Sequence, residues 1–325
     1  MQNNPYANIT LKTQFTKNED CIIFLLKLKS GNLATCSQDK EINIFEKDSF
    51  NLLLSWTGHL NSINCICELN NSRLASCSDD KRIAIWQYDI HLQNVVQEII
   101  FIAHNSFINK IITLNDGNIA SCSEDKYIYI WNSSPPYEKK CTLEGHASEV
   151  TSIIQLKDGK ILSTNSKYNE GILKIWKLEL IKSQEGKKNY EIKSQETMNN
   201  VFCHCINSLV ELNDNKVAVG GYRIIRIVNI NTKQIILNIE CHNSLISALV
   251  VMNDGCIVSA SEEGNISIIN KINYKLLKCI ESAHDLIIFS LCCLEDNMRV
   301  EIYFRFILVI INIILHNKNT FIWLN

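Results

Sequence analysis

Apolar and polar residues alternate along this chain in short runs, which is the pattern of half-buried β-strands. The runs IAIW at residues 83–86 and IYIW at 128–131 are typical, and polar stretches such as residues 79–81 and 115–117 provide turns between them. The pattern predicts four strands in one stretch of the chain, at Ile63–Glu68, Arg73–Ser78, residues 82–87 and Asn94–Ile102. The sequence therefore predicts an all-β fold.

The same pattern recurs along the chain. LASCSDDKRIAIW (residues 74–86) is repeated as IASCSEDKYIYIW (119–131) and LATCSQDKEINIF (33–45), with weaker copies at 161–176, 217–228 and 257–269. An apolar residue that we use as a landmark lies upstream of each of these six copies and occurs a seventh time near the end of the chain: Leu28, Leu69, Leu114, Leu156, Leu212, Met252 and Leu294. The period is about 40–45 residues, which suits a four-stranded unit. One such sheet cannot bury both faces, so stacking the units radially in a closed ring is expected.

A histidine lies ten residues before the landmark in five units: His59, His104, His146, His242 and His284. With the Ser-x-Asp turn and the Ile-x-Ile-Trp strand, it makes the chain resemble the WD-repeat (G-beta-like) β-propeller family over nearly its whole length. The family's Gly-His pair is present at Gly58 and Gly145, but no Asp follows Trp86, Trp131 or Trp176.

The resemblance implies one all-β domain over residues 1–325: a seven-bladed β-propeller of four-stranded antiparallel blades. Blades would start near residues 21, 62, 107, 149, 205, 245 and 287, with the strand Ile9–Phe15 closing a degenerate last blade.

Repeated Ser, His and Asp residues invite a hydrolase interpretation. A catalytic triad occurs once, however, and needs an exposed nucleophile and an oxyanion hole. The resemblance implies a structural role instead, in which Asp orients His, His bonds Ser, and Ser accepts from the Trp indole. The residues assigned to this polar network are His59, Asp80, Trp86, His104, Asp125, Trp131, His146 and Trp176. We expect no enzyme activity.

Composition narrows the partner classes. The net charge is −2 and the pI about 6.5, which argues against nucleic-acid binding.

The 14 Cys are about 4% of the chain, below the roughly 8–10% of a disulfide scaffold. No apolar run opens the sequence, and residues 306–315 are too short to cross a bilayer. We expect a cytoplasmic or nuclear protein that does not bind membranes.

Metal and cofactor motifs are weak. Cys203, His204 and Cys205, taken with Cys241 and His242, could suggest zinc, but their spacing is not of the CxxC type. No GxxxxGK[ST] loop occurs. We therefore predict no metal, no cofactor and no small-molecule substrate.

Binding residues are expected on the loops of one propeller face. The repeat register selects Asp79, Phe107, Glu124, Glu149, His204, Leu245, Glu262 and Ile287 as partner-binding candidates. Apolar side chains with acidic neighbours suit a protein or peptide partner, with basic segments favoured. We predict a non-catalytic protein–protein interaction scaffold. The alternative is a substrate-recognition subunit of a larger enzyme assembly such as a ubiquitin ligase.

Two segments depart from the repeat. Residues 181–189 are predicted to form a polar loop on the opposite face. After Asp296 the Ser-x-Asp turn is missing, and residues 300–315 are nearly all apolar. Two hypotheses stay open for this tail. It forms a long distorted strand with residues 320–323 as the third strand, or it is translated intron beyond Arg299.

Overall fold

A computed structural model describes residues 9–15, 21–165, 171–182, 188–202, 206–281, 283, 287–293, 299–303 and 308–313. All regular secondary structure in these residues is β, and the sheets are antiparallel and mostly four-stranded, so the predicted fold class is confirmed. The described residues include no helix with the length and hydropathy of a membrane span.

The strands of the first half of the chain are β1 (Ile9–Phe15), β2 (Ile22–Lys27), β3 (Leu33–Ser37), β4 (Glu41–Phe45), β5 (Leu52–Thr57), β6 (Ile63–Glu68), β7 (Arg73–Ser78), β8 (Arg82–Asp89), β9 (Asn94–Ile102), β10 (Ile108–Thr113), β11 (Ile119–Ser123), β12 (Ile128–Trp131) and β13 (Lys139–Leu143). Those of the second half are β14 (Val150–Gln155), β15 (Ile161–Asn165), β16 (Gly171–Lys182), β17 (Lys188–Phe202), β18 (Ser208–Glu211), β19 (Lys216–Gly220), β20 (Tyr222–Asn229), β21 (Gln234–Val251), β22 (Ile257–Ser261), β23 (Ile266–Ile269), β24 (Leu276–Ile280), β25 (Leu291–Cys293), β26 (Arg299–Tyr303) and β27 (Leu308–Ile313).

Each sheet is an antiparallel meander, which we call a blade. Blades 1 to 4 are β2–β5, β6–β9, β10–β13 and β14–β17. Blades 5 and 6 share β21. This strand pairs with β20 as far as Leu245 and with β22 from Ile246 onward. The pairing therefore changes partner at the residue where the repeat register starts the sixth blade.

Blade 7 combines both ends of the described chain. Its strand order is β25, β26, β27, β1, and β1 pairs antiparallel with β27 from Ile9↔Ile313 to Phe15↔Leu308. The apolar tail thus forms two strands rather than one long distorted strand, because β26 and β27 pair antiparallel with each other. Residues 320–323 lie outside the described residues.

The hydrophobic core lies between the blades. Neighbouring blades contact through clusters of buried aliphatic and aromatic residues, as where Ile85 of blade 2 packs with Ile111 and Trp131 of blade 3. The other clusters join blades 1 and 2, 3 and 4, 4 and 5, 5 and 6, and 6 and 7. A further cluster brings Cys292 of blade 7 against Ile22 and Phe45 of blade 1. The ring is therefore closed by packing as well as by β1.

Blade 4 is longer than its neighbours. Its third strand continues to Lys182 and its fourth starts at Lys188, so residues 181, 182, 188 and 189 of the predicted loop are strand; residues 183–187 lie outside the described part. Tyr190 on this extension bonds the carboxylate of Asp116, and its hydroxyl lies 3.0 Å from Asn118 Nδ2. These contacts hold the extension against a turn of blade 3.

Candidate functional site

A buried chain of four polar side chains occurs in blade 2. Asp80 Oδ2 lies 2.9 Å from His59 Nδ1, His59 Nε2 lies 2.8 Å from Ser76 Oγ, and the Trp86 indole donates to Ser76 Oγ at 2.8 Å. Blade 3 repeats the arrangement with His104, Ser121, Asp125 and Trp131, at 2.9, 2.8 and 2.9 Å. We call each set a tetrad.

The aspartate of each tetrad also organises backbone. In blade 2, Asp80 accepts from the backbone N–H of Leu60 at 2.9 Å and from that of Arg82 at 2.9 Å. It thereby joins the loop before β6 to the turn before β8. Burial by itself would raise the pKa of Asp80, but the bonds from His59 and these N–H groups outweigh burial and lower it. The same balance lowers the pKa of Asp125.

The tetrads are unsuited to nucleophilic catalysis. Ser76 and Ser121 are fully buried, and each hydroxyl oxygen already contacts a histidine and a tryptophan. No substrate carbonyl could approach either oxygen without opening the blade. The geometry is that of buried polar groups satisfying one another.

Blades 4 and 6 contain incomplete tetrads. In blade 4, His146 Nε2 lies 2.6 Å from Ser163 Oγ, which accepts from Trp176 at 2.8 Å. In blade 6, His242 Nε2 lies 2.8 Å from Ser259 Oγ, and Ile269 occupies the tryptophan position. The Nδ1 atom of each histidine is buried and has no hydrogen-bond partner among the described residues.

With no partner on Nδ1 among the described residues, burial dominates the ionisation of these histidines. Burial, with a smaller contribution from the nearby charge of Lys174, lowers the pKa of His146 to about 3. Burial lowers the pKa of His242 to about 4. Both imidazoles are therefore neutral at physiological pH.

Blades 1 and 5 lack the serine and the tryptophan of the set. Thr35 takes the serine position in blade 1 and Phe45 the tryptophan position, and blade 5 has Val219 and Val228 there. His204 and His284 lie outside the described residues.

A cavity of about 680 Å³ lies where the innermost strands converge. Every blade contributes the residue that follows the leading apolar residue of its inner strand: Ile23, Asn64, Asn109, Thr151, Asn207, Ser247 and Phe289. These residues were not among the predicted partner-binding residues. The sequence does carry a signal for them, since most are polar and each directly follows the leading apolar residue of an inner strand.

Several of these side chains bond across blade boundaries. The amide of Asn64 donates to Ile108 O at 3.0 Å, and that of Asn109 donates to Val150 O at 2.9 Å. Thr151 and Ser247 make the equivalent bonds to Ile206 O and Ile288 O. The acceptor is always the leading residue of the next blade. The cavity wall is therefore a partial ring of inter-blade hydrogen bonds.

Four predicted partner-binding residues line this cavity: Asp79, Phe107, Glu124 and Glu149. They come from blades 2 to 4 and make one side of the wall acidic. Burial, then the charges of Glu149 and Asp79, raise the pKa of Glu124 against an opposing bond from Ser106. The carboxylates thus repel one another. The described residues of the wall from blades 5 to 7 and 1 are uncharged and include the apolar Phe24, Leu249 and Phe289.

The other candidates are not brought together with these four. Leu245 and Glu262 keep the backbone register of the equivalent pairs, because Glu262 N donates to Leu245 O at 3.0 Å as Glu124 N donates to Phe107 O. Their side chains, like that of Ile287, are not part of the cavity wall. His204 lies outside the described residues.

The described residues include no group of three His, Cys, Asp or Glu side chains arranged to hold a metal ion. Described cysteines such as Cys36, Cys65 and Cys77 are free and buried. Burial raises the pKa of Cys65 to about 11 and that of Cys67 to about 12, so neither is a reactive thiolate.

Comparison with known proteins agrees with this geometry. The model of the family described as "WD domain, G-beta repeat" matches residues 50–87, 96–132 and 137–177. Among solved structures, the WD40 β-propeller domain of Doa1 superposes with a TM-score of 0.77 at 17% identity, covering 96% of this chain and 99% of that one. No curated protein matches the sequence.

Proposed function

Because the chain carries WD40 repeats on a β-propeller fold, we propose that it is a non-catalytic scaffold that binds basic protein or peptide segments at the mouth of its central cavity. Propellers of this family generally serve in protein interaction, which supports the scaffold role. The acidic wall formed by Asp79, Glu124 and Glu149 is the observation that carries the choice of a basic partner.

The two sides of the cavity suit different parts of one ligand. A Lys or Arg side chain gains charge-assisted hydrogen bonds at the acidic wall, where it also relieves the repulsion around Glu124. Phe107, which is 40% exposed, offers an apolar contact beside it. The neutral opposite wall accepts the apolar residues that flank the cation.

Peptide capture by the full chain tests this proposal. Immobilised peptides with a central Arg or Lys should retain the protein more strongly than matched peptides with a central Glu. The triple variant Asp79→Asn/Glu124→Gln/Glu149→Gln should lose most of this preference. Raising the salt should weaken wild-type binding, because the Debye length falls from about 10 Å at 0.1 M to about 3 Å at 1 M.

A matched variant controls for net charge. Asp48→Asn/Glu191→Gln/Glu281→Gln removes three exposed carboxylates outside the cavity and should retain the peptides like the wild type. Equal retention by both triple variants would reject the acidic wall as the binding surface.

A further inference from the structure

The outer strand of blade 5 has an open edge. Residues 234–240 of β21, which we call the blade-5 edge, pair with β20 on one side only. Three consecutive aliphatic residues are exposed there: Ile235 at 41%, Ile236 at 47% and Leu237 at 37%. The edge therefore offers both unpaired backbone and apolar side chains to solvent.

The outer strands of blades 2, 3, 4 and 6 carry charged side chains, which in blade 6 is Lys278 of β24. Strand β13 carries Lys139 and Lys140, β9 carries Glu98, and β17 carries Glu191 and Lys193. Strand β5 has no charge, but it buries Leu54. Exposed aliphatic residues on these described strands are isolated, as at Leu52, Val96, Ile102, Ile192 and Leu276. Charged edges resist strand pairing, and blade 5 lacks that protection from residue 234 to residue 239.

The charges that flank this segment indicate which partner strand it could pair with. Lys233, which also forms an ion pair with Glu196 at 3.0 Å, precedes it and Glu240 ends it, and both are exposed. In an antiparallel pair about a two-fold axis, the Lys233 end of each strand meets the Glu240 end of the other. The segment is thus complementary to a second copy of itself in apolar character and in charge.

We propose that the blade-5 edge is a homodimer interface, in which two copies of this chain join their β21 strands antiparallel about a two-fold axis near Ile236 and Leu237. Backbone hydrogen bonds between the edges provide the pairing, and the exposed aliphatic side chains are buried across the axis. A cavity of about 390 Å³ beside the edge, lined by Met198, Val201 and Ile235, leaves room for aliphatic side chains of the second copy.

A register shift at Ile236 does not set this edge apart. Ile227 pairs with Leu237 and Val228 with Ile235, so Ile236 is a bulged residue. The outer strands of blades 1, 2, 3 and 6 contain the same irregularity. The distinguishing feature of blade 5 is therefore its uncharged, exposed side chains.

Sedimentation velocity of the full chain over a range of micromolar concentrations tests the proposal. The wild type should show a monomer–dimer equilibrium, and Ile236→Lys should be monomeric throughout. Val96→Lys, which adds the same charge at an exposed aliphatic position of β9, should dimerise like the wild type. Circular dichroism checks that each variant is folded.

Charge exchange makes the test specific. Lys233→Glu and Glu240→Lys should each raise the dimer dissociation constant about tenfold, since like charges then meet at both ends of the pair. The double variant should recover the wild-type constant. A wild type that stays monomeric, or an Ile236→Lys variant that dimerises as Val96→Lys does, would overturn the proposal. The blade-5 edge shares no residue with the central cavity, so either outcome leaves the scaffold proposal standing.

Discussion

Blades 2 and 3 hold their histidines at both ring nitrogens, whereas blades 4 and 6 hold theirs at one. The Nε2 contact to serine is almost the same in all four blades, at 2.6 to 2.8 Å. What differs is the contact at Nδ1: in blade 6 the turn carboxylate, Glu263, accepts from Asn265 instead. The comparison teaches that the inner part of a tetrad forms without its aspartate, and that the aspartate's separate task is to tie the entry loop to the turn.

The largest expected effect comes from removing a tetrad carboxylate. Asp80→Ala leaves His59 Nδ1 and two backbone N–H groups without their acceptor, so the free energy of unfolding should fall by about 2–4 kcal/mol. Glu263→Ala changes the equivalent position of blade 6, where the side chain is exposed, and should stay within about 0.5 kcal/mol of wild type. Urea unfolding measures both. Equal losses would mean that the two blades do not differ as described.

Acid should destabilise the molecule through the incomplete blades. His146 has a folded-state pKa of about 3, below its unfolded value near 6.5. Between these values the unfolded chain binds a proton that the folded chain does not. The stabilisation that comes from keeping His146 neutral is therefore fully present above pH 6.5 and is lost as the pH falls. His146→Gln should flatten the fall in unfolding free energy between pH 6 and pH 4 by about 1.4 kcal/mol per pH unit.

Asp125→Asn serves as the comparison for that measurement. The pKa of Asp125 is lowered from an already low value, so its own titration lies below this window. The variant should lose stability at every pH and should not flatten the slope, because it leaves His104 buried without its carboxylate. A slope unchanged in His146→Gln would contradict the assignment of a neutral, buried imidazole.

A carboxylate can be rebuilt in blade 6. Glu263 occupies the place of Asp80, but it accepts instead from Asn265 Nδ2 at 2.9 Å. Glu263→Asp shortens the side chain to that of the complete tetrads and should stabilise the fold by about 1 kcal/mol while raising the pKa of His242. An NMR titration of His242 measures the shift. The gain should vanish in the His242→Gln background, and a gain that persists there would have another origin.

The smallest expected effect lies in the turn itself. Lys126 of blade 3 has a φ of 78°, and Gly264 occupies the equivalent position of blade 6 with a φ of 75°. Left-handed backbone disfavours residues with a Cβ, so Lys126→Gly should stabilise the fold by at most about 1 kcal/mol. Gly264→Lys should destabilise it by a similar amount. Thermal unfolding measures both, and changes of the same sign would contradict the argument.

Regular parts of the chain were predictable from the sequence. The second unit shows this, since strands expected at Ile63–Glu68, Arg73–Ser78 and Asn94–Ile102 have those bounds in the structure. Alternation and turn residues act within a few positions, so they are visible locally. Where the local pattern weakens, prediction weakens with it, as in the strand extension of blade 4 and the two strands of the apolar tail.

The cavity was only half predictable. Of the predicted partner-binding residues, Asp79, Phe107, Glu124 and Glu149 line the cavity, whereas Leu245, Glu262 and Ile287 do not. Equivalent backbone positions do not guarantee equivalent side-chain directions. The neutral wall was missed because residues such as Phe24 and Leu249 lie within the inner strands rather than in the loops that the register selected.

The sequence by itself determined the repeating strands, the position of each histidine seventeen residues before its serine, and the loss of the aspartate in blade 6, because these depend on covalent spacing and residue identity. Only the tertiary structure decided which side chains share the central cavity and which blade exposes consecutive aliphatic side chains at its outer edge. Both depend on closing the ring, which brings together residues as distant as Leu25 and Ser290, whose backbone N–H and hydroxyl lie 3.3 Å apart. Burial and charge at such meeting points are properties of the assembled blades rather than of any one repeat.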